Sequence, residues 1–245
     1  MAQYSFGSGT LYGKSLNAGS QTPVRFGALQ GATIEWAFTT KELFGSYQFP
    51  LAIGRGTAKI TGKADFAQFT AKTFNDLFFG AGSVSTGATR AVVQEAQTIT
   101  ANSVTVAHAA NFVADLGIVY AANGGVLVAV ANNPVGGQYT NNASAGTYAF
   151  NNSINNSAVL VSYTWADTVY GQKISITNQL LGNAPTFSAV FEESFQGNMM
   201  TVTLNACMSS KLSLVTKLED FTIPSFDFEC FADASNNIGT ISLEQ

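Results

Sequence analysis

Charge is scarce in this sequence. Charged residues make up 11% of its 245 residues, against about 25% in ordinary soluble domains. No charged residue and no histidine occurs from Leu116 to Ala166. The single histidine, His108, leaves no His-based metal cluster and gives a serine triad only one base. It lies among small residues in Thr105–Ala110 and reads as a surface or satisfied side chain. Two cysteines, Cys207 and Cys230, are too few for a secreted disulfide framework and lack the CxxC spacing of a zinc site. Both sit in apolar alternation and read as small buried hydrophobes, with a bridge between them left open. No Walker A sequence occurs, and no GxGxxG stands at a strand-to-helix junction. No basic patch with interleaved aromatics points to sequence-specific nucleic-acid reading. Glu192 and Glu193 are adjacent, so on a strand they point to opposite faces and do not converge as a glycosidase pair. These absences argue against an enzyme, a metal and a cofactor. The uncharged stretch is not a membrane span, because nine Asn and several Gly interrupt it. The opening MAQYSFGSGTLYGK has no positive region followed by an apolar run, so no signal peptide is expected and synthesis is expected in the cytosol.

What is present is apolar and small-polar. Hydrophobic residues reach 46%, enough for a sizeable core. Low charge with abundant Thr, Ser, Asn and Gly suits a protein that buries polar surface in an assembly. The charge that exists is unevenly placed. Residues 1–80 carry seven Lys/Arg and four acids, net +3; residues 81–170 carry one Arg and three acids, net −2; residues 171–245 carry three Lys and eight acids, net −5. Either copies attract head to tail through a basic front and an acidic back, or both segments join one domain and the imbalance averages out.

Period-two alternation dominates. Ile34, Trp36 and Phe38 alternate with Thr33, Glu35 and Thr39; Ala58, Ile60, Ala64 and Phe66 alternate with Thr57, Lys59, Thr61, Lys63 and Asp65. These stretches read as antiparallel partners, each burying one face, joined by a long connection over Lys41–Gly56. The spacing of Phe66, Phe69, Phe74, Leu77 and Phe78 predicts a helix over Asp65–Phe79, with Asp65 as N-cap and Gly80 as the stop. Residues 81–157 then change character, with short strands at Phe112–Ala121, Gly125–Val130 and Thr147–Phe150 and a turn at Asn123–Gly125. Alternation resumes in Val159–Trp165, Ile174–Thr177, Phe187–Phe191, Met200–Ala206 and Phe226–Cys230, with a turn at Ser194–Asn198. Many strands and one helix predict a mainly β protein, a β-sandwich or barrel-like fold with one flanking α-helix and an inserted β-rich module.

Several stretches carry a resemblance. KELFGSYQFP, then GRGTAKITGKA, then a helix ending FNDLFFG lie within Val24–Gly80. SYTWADTVYGQKISITNQLLGNAPTF and TLNACMSSKLSLVTKLEDFTIPSFDFECFADASNNIGTISL follow towards the end of the chain. In order and spacing these resemble the tail tube, or major tail, proteins of long-tailed bacteriophages. The middle stretch GQYTNNASAGTYAFNNSINNSAVLVSYTW is similar to a β module recurring in phage structural proteins. The resemblance implies the tail tube fold, with residues 1–80 and 158–245 as two halves of a tube core and 81–157 as an inserted or peripheral module. It implies a virion tail subunit, made in the host cytoplasm, that assembles with itself into stacked, usually hexameric rings conducting genomic DNA during ejection. Tape measure, tail terminator and baseplate proteins are the implied partners, and double-stranded DNA is non-specific cargo. No membrane partner is implied. The alternatives are another virion component, such as a capsid-decoration or baseplate protein, and a carbohydrate-binding adhesin-like module using Tyr139, Tyr148 and Tyr163.

Two sets of residues are expected to matter. Leu43, Phe44, Phe49 and Leu51, in the Lys41–Gly56 connection, are apolar residues expected to dock on a neighbouring subunit. Two strand faces compete for the lumen, one carrying Asp227 and Glu229, the other Lys59 and Lys63. Fixed cations facing phosphate add attraction around the ring. Asp227 and Glu229 are therefore expected in the lining, with both lysines neutralised across a subunit contact or facing outward; the alternative is that the two acids are ordinary solvated residues on an outer strand face.

Overall fold

A computed structural model of the chain describes residues 7–17, 22–80, 84–216 and 218–244. It is mainly β and divides into two units, Met1–Val84 with Ile174–Gln245, and Ser85–Lys173.

The first unit begins with strands β1 (Thr10–Ser15), β2 (Val24–Arg25), β3 (Gly27–Phe44) and β4 (Pro50–Gln68) and a short helix α1 (Ala71–Phe74) that continues as a π turn over Asn75–Phe79. The second unit holds β5 (Ser85–Thr98), β6 (Ser103–Thr105), β7 (Phe112–Tyr120), β8 (Val128–Ala129), β9 (Gln138–Asn142), β10 (Thr147–Phe150) and β11 (Ala158–Lys173). The chain returns to the first unit with β12 (Thr186–Phe195), β13 (Asn198–Ser213), β14 (Ser225–Cys230) and β15 (Gly239–Leu243).

In the first unit one sheet runs β2-β1-β12-β13-β14-β4-β3, with β15 paired to β13. Its two end strands, β2 and β3, are consecutive in the chain with only Phe26 between them. The sheet must therefore curl until its ends meet, which gives it a barrel-like form. Inside lie Leu11, Phe26, Phe66, Phe187, Ala189, Val202, Leu204, Phe226 and Phe228, all buried. The alternation in β12, β13 and β14 supplies this inner face. Gly62 belongs here for a steric reason. It stands opposite Phe228, and a Cβ on it would lie 2.1 Å from the Phe228 ring. The turn Gln196–Gly197 joins β12 to β13 with φ of 52° and 87°; two central residues at positive φ match the twist of a tight hairpin.

The helix is shorter than its periodicity predicts. Asp65–Gln68 stay in β4, where Phe66 is opposite Leu29 and fully buried. Pairing with β3 and β14 overrides helical spacing there, and Thr70 becomes the N-cap, accepting from the Thr73 N–H at 3.2 Å. Gly80 ends the helix in the left-handed region, as expected. Leu77 is fully buried and lies against β1, where Gly13 leaves it room: a Cβ there would come within 2.7 Å of Leu77 Cδ1. Ile174–Thr177, expected as a strand, has no regular structure.

The second unit packs the sheet β6-β10-β9-β8 with the sheet β5-β11-β7 around its own core. Its C-terminal boundary lies at Lys173, not at residue 157. The reason is the alternation Val159, Val161, Tyr163, which is fully buried in this core rather than in the first. Strand β11 pairs with β5 on one side and β7 on the other. The turn at Asn123–Gly125 closes on itself through the Gly124 N–H to the Tyr120 carbonyl, 2.9 Å.

Candidate functional site: the arm and the charged sheet face

Strands β3 and β4 pair along nearly their whole length, from Gly27–Gln68 to Phe44–Pro50. Only Gly45–Phe49 lies outside the ladder, so the Lys41–Gly56 connection is mostly strand and not loop. From Glu35 to Phe49 and from Leu51 to Lys59 every residue is exposed. The distal half is thus a two-stranded arm of roughly 25–30 Å with neither face covered by the described residues. A two-stranded hairpin alone is marginally stable in water. This one also carries large apolar side chains into solvent. Leu43, Phe44, Phe49 and Leu51 are 62%, 55%, 81% and 68% exposed, and Tyr47, Ile53, Trp36 and Phe38 join them. Trp36 and Phe38 are a correction: their strand buries only as far out as Ala32 and Ile34, which pack on the core. Phe38 is instead covered by the Arg55 guanidinium, 4.3 Å from its ring centre.

The outer face of the curled sheet carries the charge. Asp227 is directly opposite Lys63 on β4 and Lys211 on β13, and Glu229 is opposite Thr61 and Met208. Residues directly opposite in an antiparallel pair share a face. The acids and lysines therefore do not sit on competing faces; they form one. Lys59 Nζ is 2.7 Å from Glu229 Oε1, and Lys63 Nζ is 3.2 Å from Asp65 Oδ2. Both lysines thus have a carboxylate of their own chain as partner. With Glu35 opposite Thr61, this part of the face holds Lys59, Lys63 and Lys211 against Glu35, Asp65, Asp227 and Glu229, a net of −1. Thr33, Glu35, Lys63, Asp227 and Glu229 line a shallow depression of about 390 Å³ on it. The basic front and acidic back of the sequence meet here, in adjacent strands of one unit.

In the second unit two carboxylates hold tyrosine hydroxyls. Tyr139 donates to Asp115 Oδ2 at 2.6 Å, Tyr148 to Asp115 Oδ1 at 3.1 Å, and Tyr163 to Glu95 Oε2 at 2.6 Å. The three rings are 2%, 1% and 0% exposed. They are core, which removes them as a carbohydrate platform. Burial pushes the Tyr163 hydroxyl up to about 12, with the Glu95 hydrogen bond and charge adding to it. Burial and Asp115 raise Tyr139 and Tyr148 as well. Burial pulls Glu95 upward, but hydrogen bonds from Tyr163, Gln97 and the Ala107 N–H outweigh it and leave the carboxyl below its usual value. His108 stacks on Trp165 with ring centres 3.8 Å apart, so it is a packed side chain. Among the described residues no group of three or more His, Cys, Asp or Glu is placed to hold a metal ion, and no helix is long and apolar enough to cross a membrane.

No protein-family model and no curated protein matches the chain. The residues singled out are brought together only in part. Leu43, Phe44, Phe49 and Leu51 share the arm tip, while Asp227 and Glu229 lie on the sheet body. Sequence reasoning missed Tyr47 and Ile53 on the arm. It also missed four further exposed apolar residues, Leu180, Leu181, Leu218 and Phe221, in stretches without regular structure. Tyr47 lies inside KELFGSYQFP and was findable by counting every apolar residue in that stretch.

Proposed function

We propose that the chain is a structural subunit of a bacteriophage tail tube, assembling with itself into stacked rings in the virion tail. The observation that carries the reading is the arm, a long hairpin with apolar side chains on a scaffold that does not cover them. Burying each such side chain at a subunit contact contributes about 1.5–3 kcal/mol, and the free edge of β3 offers main-chain groups to another strand. A contact between unlike surfaces of identical subunits propagates as rings and then as a filament. The sequence resemblance to tail tube proteins gives this assembly its identity, with DNA as cargo and the tape measure, terminator and baseplate proteins as partners. Negative-stain images of the purified protein at high concentration test it. Rings or tubes of uniform width are expected; a monodisperse monomer at every concentration sinks the reading.

Asp227 and Glu229 remain our choice for the lumen, now as members of a nearly neutral face on which lysines are paired with acids. Such a lining neither grips nor strongly repels phosphate. Replacing both acids by Lys frees Lys59 from its partner and makes the same face strongly cationic. Tubes are expected to form, with genome ejection slowed or blocked; ejection at the ordinary rate would remove these residues from the lining.

A further inference from the structure

We propose that Cys207 and Cys230 form a redox-active cross-strand pair that closes to a disulfide on reaction with a small disulfide such as oxidised glutathione. The two are direct partners in the β13–β14 ladder. The flanking Phe231 N–H donates to the Ala206 carbonyl at 3.0 Å, which makes Cys207 and Cys230 a non-hydrogen-bonded pair. Such pairs hold their Cα atoms about 4.5 Å apart, inside the roughly 4.4–6.8 Å that a disulfide spans. Both thiols are free, and their sulfurs lie 3.3 Å apart. A small side-chain rotation is all that separates this arrangement from a bond.

The two sulfurs are not equivalent. Cys207 is fully buried, whereas Cys230 is partly exposed at the end of its strand. Cys230 is therefore the thiol that a dissolved disulfide reaches. The contact between the two sulfurs holds Cys230 below its ordinary value and raises Cys207, where burial adds to the rise. The Cys230 thiolate attacks one sulfur of the small disulfide, its S–S bond breaks, and one small thiol leaves. Cys207, losing its proton, then attacks Cys230 Sγ and displaces the second small thiol. The protein pair is oxidised by two electrons, the small disulfide is reduced to two thiols, and the two cysteine protons end on them.

The position gives the bond a structural consequence. β13 pairs with β15 up to Leu204 and with β14 from Cys207 onward. The bridge would staple the sheet where β13 changes partner, and close a loop that includes the irregular stretch between β13 and β14. The protein then has an open state in a thiol-rich compartment and a stapled one in an oxidising medium. This inference does not depend on the tail tube reading.

The test treats the reduced full-length protein, under native conditions, with a glutathione redox series and reads intact mass. The expected product has lost two hydrogens and carries no glutathione. Its unfolding equilibrium constant should fall on the order of a hundredfold, and dithiothreitol should reverse this. Cys207→Ser should trap glutathione on Cys230, an adduct that wild type does not accumulate, while Cys230→Ser should leave the native protein unmodified. Free thiols at redox ratios that fully oxidise dithiothreitol, separate adducts on both cysteines, or a disulfide-linked dimer would each overturn the proposal.

Discussion

Asp115 lies on β7 and accepts hydroxyls from β9 and β10, so one carboxylate ties a strand of one sheet to two strands of the other. Removing it as Asp115→Ala leaves two buried hydroxyls without their acceptor, at about 1–3 kcal/mol each. We expect unit Ser85–Lys173 to lose about 2–4 kcal/mol, and Asp115→Asn, which keeps one acceptor, to lose less. Chemical denaturation of the two variants measures this; equal and negligible losses would show that water replaces the carboxylate. The same hydroxyls set an alkaline limit. A tyrosine whose folded value is raised stabilises the fold fully below its unfolded value of about 10, and that contribution is lost as pH rises towards the folded value. With Tyr163 at about 12 and Tyr139 and Tyr148 also raised, unit stability should fall from pH 10 to 12. Absorbance of tyrosinate should show these three ionising with unfolding rather than before it. Alternation made Phe187, Ala189, Phe191, Val202, Leu204, Phe226 and Phe228 legible as core. It did not reveal Asp115, because its partners are 24 and 33 residues away and nothing local marks a carboxylate that will meet them.

At the scale of elements, local signals failed where long-range pairing opposed them. Lys41–Gly56 read as a long connection between two strands, yet Lys41 is opposite Gly54 and Leu43 opposite Ala52 in a continuing ladder. Asp65–Gln68 read as helix because four phenylalanines, Phe66, Phe69, Phe74 and Phe78, happened to recur at helical spacing, yet two neighbouring strands claim that segment. In both places strand pairing at the sheet edge was decisive, and a single sequence does not display its pairing. The arm's apolar residues were legible; that they stand on paired strands was not. Excising Lys41–Gly54 and joining Thr40 to Arg55 through Asn-Gly uses this register, since Thr40 and Arg55 are themselves opposite. All residues removed except Pro50 are exposed, so little core is lost. We expect melting within a few degrees of wild type and no rings or tubes by electron microscopy. Tubes formed by the shortened protein would place the assembly contact elsewhere, with the exposed Leu180, Leu181, Leu218 and Phe221 next in line.

At the scale of the whole molecule, the second unit enters and leaves the chain at one place. Ser85 and Lys173 are opposite each other in the β5–β11 ladder, so the two ends of the insertion are neighbours although 88 residues apart in sequence. The first unit draws its core side chains from Leu11 to Leu77 and from Phe187 to Phe228, with none, among the described residues, from the stretch between. The second draws its own from Ile99 to Tyr163. Each core is thus complete without the other. Replacing Ser85–Lys173 by a short Gly-Ser linker should therefore leave a protein with a cooperative unfolding transition and the first unit's strand content. The excised piece, expressed alone, should fold as well. Removing residues 81–157 instead, the segment that composition alone sets apart, should fail. It strips β11 of both its partner strands and turns Val159, Val161 and Tyr163, fully buried in the intact chain, towards water. At roughly 1.5–3 kcal/mol for each large apolar side chain exposed, that protein should aggregate or melt far below its counterpart. Circular dichroism melts of the two deletions decide between the boundaries, and a soluble, cooperative 81–157 deletion would return β11 to the first unit.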